Sequence, residues 1–334
     1  MAHVVITGGA GFLGSALARQ LLGRPAIEAG GGPPRPVSRL TIIDQAGPPA
    51  GLAANSQVRV LRGDAASLLD PAGAGPAALV GADVIFHLAA AVSGECEADF
   101  DLGIRANLRA TEALLASCRA LGSCPVVVFA SSVAVFGGSP EHPLPAVVDD
   151  HTLPNPQTSY GAQKVIGEQL LADYTRKGFL RGRAIRLMTV TVRPGAPNGA
   201  ASGFLSGIIR EPLAGRRAAC PVGPQTEVAV ASPDKAVAAL IRAAGASDQD
   251  WGGRTAVTMP GLTVTVGGMI AALERTAGPQ AAALVDWTPQ PQLAGIVTGW
   301  PASFRADRAA GLGLTPDPDF DTVISQYLAG QAGT

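Results

Sequence analysis

TGGAGFLG, residues 7–14, sets glycines at positions 8, 11 and 14, a T-G-x-x-G-x-x-G pattern. HVVIT (3–7) before it reads as a strand, and GSALARQLL (14–22) after it as a helix. A glycine loop between strand and helix lets the chain turn sharply, lets backbone approach a pyrophosphate, and lets helix pack on strand. The helix N-terminus then presents free N–H groups and a partial positive charge to the anion. In this strand–turn–helix setting the motif predicts dinucleotide binding by Gly8, Gly11, Phe12, Leu13 and Gly14.

Outward from the loop, the next strand, LTIID (40–44), ends at Asp44. A carboxylate there accepts the ribose hydroxyls of NAD and repels the 2′-phosphate of NADP. Gln45 follows, with no adjacent arginine to welcome a phosphate, so the predicted cofactor is NAD. Asp64 closes a third strand, VRVLRGD (58–64), within reach of an adenine amino group. ADVIFHLAA (82–90), the helix ANLRATEALLASCRALG (106–122), PVVVFASS (125–132), the helix SYGAQKVIGEQLLADYTRKG (159–178) and RAIRLMTVTVRPG (183–195) continue the alternation. Alternating strands and helices, with strands apolar on both faces, predict an α/β fold: a doubly wound parallel sheet covered on both sides. The Gly/Pro-rich stretches 28–38 and 45–57 read as surface loops. Beyond residue 195 the pattern loosens into helices at 203–213, 232–244 and 266–278 with short strands between them. Ser232 or Asp234 is placed to cap the second of these helices.

Composition narrows the function classes. The net charge of −1 and the 15% of charged residues argue against nucleic acid or an anionic membrane as partner. The four cysteines form no C-x-x-C pair, and no His/Cys cluster suggests a metal. Free thiols fit a reducing cytoplasm. No apolar run is long enough to span a bilayer.

SYGAQK (159–164) puts Tyr160 four residues before Lys164, on one helical face. A free phenol, with a pKa near ~10, is a poor base at neutral pH. A lysine charge and a cationic nicotinamide both favour the phenolate and should lower that value.

With the glycine loop, FHLAA (86–90), FASSVAVFG (129–137) and SYGAQK in that order, the chain resembles the extended short-chain dehydrogenase/reductase family over nearly its whole length. The resemblance implies a Rossmann domain over 1–195, also receiving a segment near 225–260, and a substrate-binding lobe mainly over 196–334. It implies a homodimer formed through the helices around 106–122 and 159–178. It makes Tyr160 the acid/base, Lys164 its helper, Ser132 the partner of the reacting hydroxyl, and Asn107 a support for the lysine through water. Leu88, Ala89, Ala90 and Pro194 join the cofactor wall. Phe136 stands where the family commonly has tyrosine. His87 reads as a satisfied core histidine, and His142 and His151 as loop residues outside the chemistry.

TVRPGAPNGAASGFLSGIIREPLAG (191–215), CPVGP (220–224), VASPDKAV (230–237) and IVTGWP (296–301) resemble the branch of that family that oxidises D-erythronate at its 2-hydroxyl. A sugar-acid substrate needs a cation or clustered N–H groups for its carboxylate, with small hydroxyl partners. Ser93, Asn198, Ser202 and Arg210, together with Ser132 and Tyr160, are the candidates, with Arg193 another. Aromatic residues, at 4%, offer few platforms for a nucleotide base. Two other readings stay open: an NAD-dependent nucleotide-sugar 4-epimerase using the same residues, and a non-catalytic module that senses NAD(H).

Overall fold

The computed structural model describes residues 1–195 and 201–332. Its centre is a seven-stranded, wholly parallel sheet. Five strands come from the first part of the chain: β1 (Ala2–Thr7), β2 (Val37–Asp44), β3 (Val58–Arg62), β4 (Val84–His87) and β5 (Val126–Ser132). The other two are Arg181–Leu187 and Val257–Thr258. From one edge the order is β3, β2, β1, β4, β5, Arg181–Leu187, Val257–Thr258. The chain therefore runs outward from β1 in one direction and then returns to run outward in the other. The crevice at the strand ends between β1 and β4 is where such sheets bind ligands.

β1 is buried at every position, as a strand covered on both faces must be. One face packs Val4 and Ile6 with Leu17 and Leu21 of the first helix, α1 (Phe12–Gly23), and with Val237 and Leu240 of helix Pro233–Gly245. The other packs Val5 and Ile85 with Leu114, Leu115 and Leu171. A separate apolar cluster joins Leu205, Ile208 and Ile209 to Val228, Met269, Leu273 and Ile324. It is organised by a three-stranded sheet of Leu262–Thr265, Glu227–Ala231 and Thr189–Val190.

Helix Pro233–Gly245 starts as its sequence suggests, with Ser232 Oγ accepting the Lys235 N–H at 3.2 Å. Parts of the sequence reading are revised: Val37 and Ser38, read as the end of a loop, open β2. The stretch 45–57 carries a one-turn helix, Ala50–Ala53, rather than loop throughout. The regular helix expected over 106–122 begins inside a π-helical turn, Ile104–Arg109, and becomes α-helical at Ala110–Leu121. Such wide turns are rare and frequent at functional sites; this one carries Asn107. No described helix is long and apolar enough to cross a membrane.

Candidate active site

β1 delivers the glycine loop to the crevice. Gly14 lies in the first turn of α1, and a Cβ there would stand 2.1 Å from the Gly8 carbonyl oxygen. Only glycine allows so close an approach of helix to loop. Gly11 caps α1 without a side-chain hydrogen bond, which leaves the amide donors of its first turn to a ligand. A groove runs along both sides of this loop. Toward β2 it is walled by Ala10, Asp44, Gln45, Asp64 and Ala89. Toward β5 it is walled by Phe12, Leu13, Ser132, Tyr160, Lys164 and Arg193. Gly8, Gly11, Leu88 and Ala90 line both stretches.

Asp44 is held by backbone, its Oδ2 accepting from Ala10 N–H at 2.9 Å and its Oδ1 from Ala46 N–H at 3.0 Å. This fixes the carboxylate at the groove wall. Asp64 is partly committed elsewhere: its Oδ2 caps a short helix by accepting from the Ser67 N–H and hydroxyl, both at 3.0 Å. Sequence neighbours had concealed Arg62. It pairs in register with Asp44 across β2 and β3 and donates from Nε to the Gln45 carbonyl at 3.0 Å. The loop without a helix cap, the close glycine packing and the fixed carboxylate together fit a dinucleotide. Pro194 is exposed, one residue beyond Arg193, and does not line the groove.

Tyr160 sits in the first turn of the long helix Ser159–Arg176, hereafter the tyrosine helix. Thr158 caps it through the Gly161 N–H at 3.1 Å, and Glu97 Oε1 accepts the Ser159 N–H at 2.7 Å. Gly161 permits the seat, since a Cβ there would come within 2.2 Å of the Ala134 carbonyl oxygen. Tyr160 thereby stands beside the end of β5, where it and Ser132 line the same stretch of groove. Lys164 is buried, and its Nζ donates to the Ala130 carbonyl at 2.8 Å while lying 5.5 Å from the Tyr160 ring centroid.

The expected lowering of the phenol pKa rests on the lysine charge and a cationic nicotinamide together; in the protein alone, burial works against it. Burial pushes Tyr160 up to about 12, against the opposing hydrogen bond from Ser132 and the Arg193 charge. One of the three N–H donors of Lys164 goes to backbone, and at the phenol burial outweighs the nearby charge. Lys164 is itself pulled down to about 8, mainly by burial, and remains charged at neutral pH.

His87 is a core histidine with both nitrogens satisfied, and its tautomer can be derived. Thr111 Oγ1 donates to the Asn107 carbonyl at 2.6 Å, because a carbonyl only accepts. Thr111 must then accept from His87 Nε2–H at 3.0 Å, which leaves Nδ1 to accept from Thr7 Oγ1 at 2.7 Å. Thr7 Oγ1 in turn accepts the Ala89 N–H at 3.2 Å. The bonds therefore run in one direction, from Ala89 through Thr7, His87 and Thr111 to Asn107.

Burial, then the Lys164 charge, lowers the His87 pKa to about 3 from its ordinary 6.5. A depressed histidine stabilises the fold fully above pH 6.5, and that contribution is lost as pH falls toward the folded value. Below pH ~6.5 this group alone should remove about 1.4 kcal/mol of stability per pH unit. Urea melts between about pH 7.5 and 5 should show the slope, and His87→Asn should flatten it; an equal slope in both proteins would refute the assignment.

Asn107 does not touch Lys164. Its Oδ1 accepts the Ala91 N–H at 2.8 Å, and its Nδ2 donates to Gln163 Oε1 at 2.7 Å and to the Ala91 carbonyl at 3.2 Å. It clamps the strap Leu88–Ala91 to the tyrosine helix at the residue before the lysine.

Beyond Ser132 and Tyr160 the groove opens into a chamber of about 410 Å³. Ser93 lines it, as expected. So do Gln157, Thr158, Thr189, Ile296 and Trp300, which sequence reasoning had not singled out, although IVTGWP contains the last two. Ser202 and Arg210 are not brought to the chamber wall. Arg210 is buried, donating to the Arg193 carbonyl at 2.9 Å and pairing with Glu211 at 2.6 Å. The adjacent Glu211 in the sequence was the available signal for that pairing. Asn198 lies outside the described residues. Arg193 faces the Tyr160 end of the groove, its guanidinium 5.6 Å from the Phe12 ring centroid.

A glycine-loop Rossmann sheet with a Ser–Tyr–Lys cluster across its crevice defines a nucleotide-dependent oxidoreductase class, and the chain belongs to the NAD dependent epimerase/dehydratase family, whose profile matches residues 4–228. More particularly, it is 51% identical to a D-erythronate dehydrogenase of Cupriavidus necator over 326 residues, covering 98% of each chain. It is 37% identical to a D-erythronate dehydrogenase of Haemophilus influenzae, over 97% of this chain and 98% of the other. Among solved structures it resembles an Agrobacterium tumefaciens protein titled a nucleoside-diphosphate-sugar epimerase. That likeness has a TM-score of 0.86 and 41% identity, over 99% of this chain and 95% of the other.

Proposed function

We propose that the protein oxidises the 2-hydroxyl of D-erythronate, giving 2-oxo-tetronate and NADH. The observation that carries this reading is the identity, over nearly the whole length, to two D-erythronate dehydrogenases. The chamber beside Ser132 and Tyr160 offers the hydroxyl and amide groups of Ser93, Gln157, Thr158 and Thr189 to the hydroxyls of a polyol.

In this reading the first-turn amides of α1 face the cofactor pyrophosphate, and Asp44 accepts ribose hydroxyls. When bound, NAD⁺ supplies the hydride acceptor for C2. Ser132 Oγ would hold the C2 hydroxyl, and Tyr160, as the phenolate that the Lys164 charge and a bound cationic nicotinamide favour, would take its proton. Lys164, charged and anchored on Ala130, keeps a cation on the tyrosine's helical face. Arg193, at the Tyr160 end of the groove, takes the carboxylate. Ser93, Gln157 and Thr189 offer hydrogen bonds to the remaining hydroxyls, and Ile296 and Trp300 keep water out. Residues 1–195 with the segment near 225–260 hold the cofactor, and the remainder holds the substrate. A cytoplasmic homodimer through the helices around 106–122 and 159–178 completes the proposal; Phe100 and Ile166, exposed near these helices, support it.

The test is NADH formation with D-erythronate, L-threonate and UDP-sugars. Reduction with D-erythronate supports the reading. Interconversion of a UDP-sugar without net NADH would replace it with epimerase chemistry, which the likeness to the A. tumefaciens structure favours. Asp44→Ser should lower the NAD-over-NADP ratio of kcat/KM by at least about tenfold, the worth of a charge-assisted hydrogen bond. An unchanged ratio would remove Asp44 from cofactor selection.

A further inference from the structure

Three consecutive residues of β5 each hold one residue of the tyrosine helix. The Ala130 carbonyl takes Lys164 Nζ at 2.8 Å, Ser131 Oγ donates to Glu168 Oε1 at 2.5 Å, and Ser132 meets Tyr160. Tyr160, Lys164 and Glu168 are spaced four apart and share one helical face. Glu168 is also gripped by the neighbouring strand: Arg186 Nε donates to Oε1 at 2.9 Å and Nη2 to Oε2 at 2.7 Å. Ser131 and Arg186 are register partners in the sheet, so both hold the same carboxylate from one level of two adjacent strands. The pair is nearly dry, with side-chain exposures of 9% for Arg186 and 3% for Glu168. Buried ion pairs contribute little stability over apolar side chains of the same volume; fixing one arrangement is a role they can serve.

We infer that Glu168, held by Ser131 and Arg186, is a positioning residue that fixes the register of the tyrosine helix on β5 and so sets Tyr160 and Lys164 against Ser132. It touches neither the groove nor the chamber. Its effect passes through the helix, where a slip of one residue moves a side chain by about 1.5 Å along the axis. A displacement of about 1 Å at reacting atoms costs up to a hundredfold in rate.

The kinetic arm rests on the dehydrogenase reading; a second arm does not. Ser131→Ala removes one hydrogen bond and leaves the Glu168–Arg186 pair, but Ser131 also lines the groove; Glu168→Gln, outside the groove and the chamber, is the companion that assigns the effect to the clamp, and both should change kcat and exchange in the same direction. In Ser131→Ala, kcat with D-erythronate should fall ten- to a hundredfold. Its KM and the NAD⁺ dissociation constant should stay at the wild-type values. Backbone amides of residues 160–164 should exchange hydrogen about tenfold faster in the same variant, a reading that needs no substrate. Wild-type exchange in Ser131→Ala overturns the inference, as does wild-type kcat, or a loss of kcat matched by loss of NAD⁺ affinity. If the wild type does not oxidise D-erythronate, the proposed function fails and the exchange measurement alone decides the inference.

Discussion

Tyr160→Phe is expected to cut NADH formation on the order of a thousandfold while leaving NAD⁺ binding intact. The substitution removes one oxygen and keeps the ring that packs between β5 and the tyrosine helix. Its partner, Ser132, is left facing an apolar edge. Among the described residues, Glu97 is the carboxylate that shares the chamber wall with Tyr160, and its Oε1 already accepts the Ser159 N–H. Lys164 is tied to the Ala130 carbonyl, and His87 has both nitrogens engaged in the core. Titration of the variant with NAD⁺, followed by turnover measurements at saturating cofactor, separates the two effects. Turnover within a few-fold of wild type would show that the proton leaves by another route, and would remove Tyr160 from the reaction.

The second large effect concerns the glycine loop. Gly14→Ala should weaken NAD⁺ binding by about a hundredfold and lower stability by about 2–3 kcal/mol, the upper range for overpacking. The added methyl would lie 2.1 Å from the Gly8 carbonyl oxygen and 2.7 Å from Gly9 Cα, both backbone atoms that cannot rotate aside. Loop and helix must separate, and the first-turn amides then lose their aim at the groove. Gly23→Ala, at the far end of the same helix, is the control: nothing lies within 4 Å of its Cβ, so it should be neutral or stabilise by about 0.5–1 kcal/mol. Thermal melts and cofactor titration of the two variants test the contrast. Equal behaviour would mean that close packing at Gly14 does not shape the site.

The parts of the site legible in the sequence were those made by local backbone. The glycine loop, Asp44 at a strand end and the Tyr160–Lys164 spacing are all short-range patterns, and the sheet follows from alternating apolar runs. Long-range contacts were hidden. Asn107 was read as supporting the lysine through water; its direct partners, Ala91 and Gln163, are brought to it only by the fold and could not be read from the sequence. The π-helical turn that presents it leaves no mark in residue spacing. The burial that opposes phenolate formation at Tyr160 was also hidden, because charge is visible in a sequence and burial is not. Arg210 was weighed as a carboxylate ligand because it is cationic; its use as a brace under Arg193 depends on where its helix points. Glu168 was passed over as a helical acid, although its place eight residues beyond Tyr160 puts it on the same face.

The two ends of the site also differ in when they are made. Every residue walling the groove on the Asp44 side lies between Gly8 and Ala110, whereas the chamber is closed by Ile296, Trp300 and Pro301, near the end of the chain. On the ribosome, the residues that meet the adenosine half of the cofactor emerge long before those that enclose the acid. A ligand that binds folded chain stabilises it by mass action. Yet one face of β1 is covered by Val237 and Leu240 of helix Pro233–Gly245, so the seat of the glycine loop is complete only after that helix has left the ribosome, and the dinucleotide can stabilise the chain only from that point on.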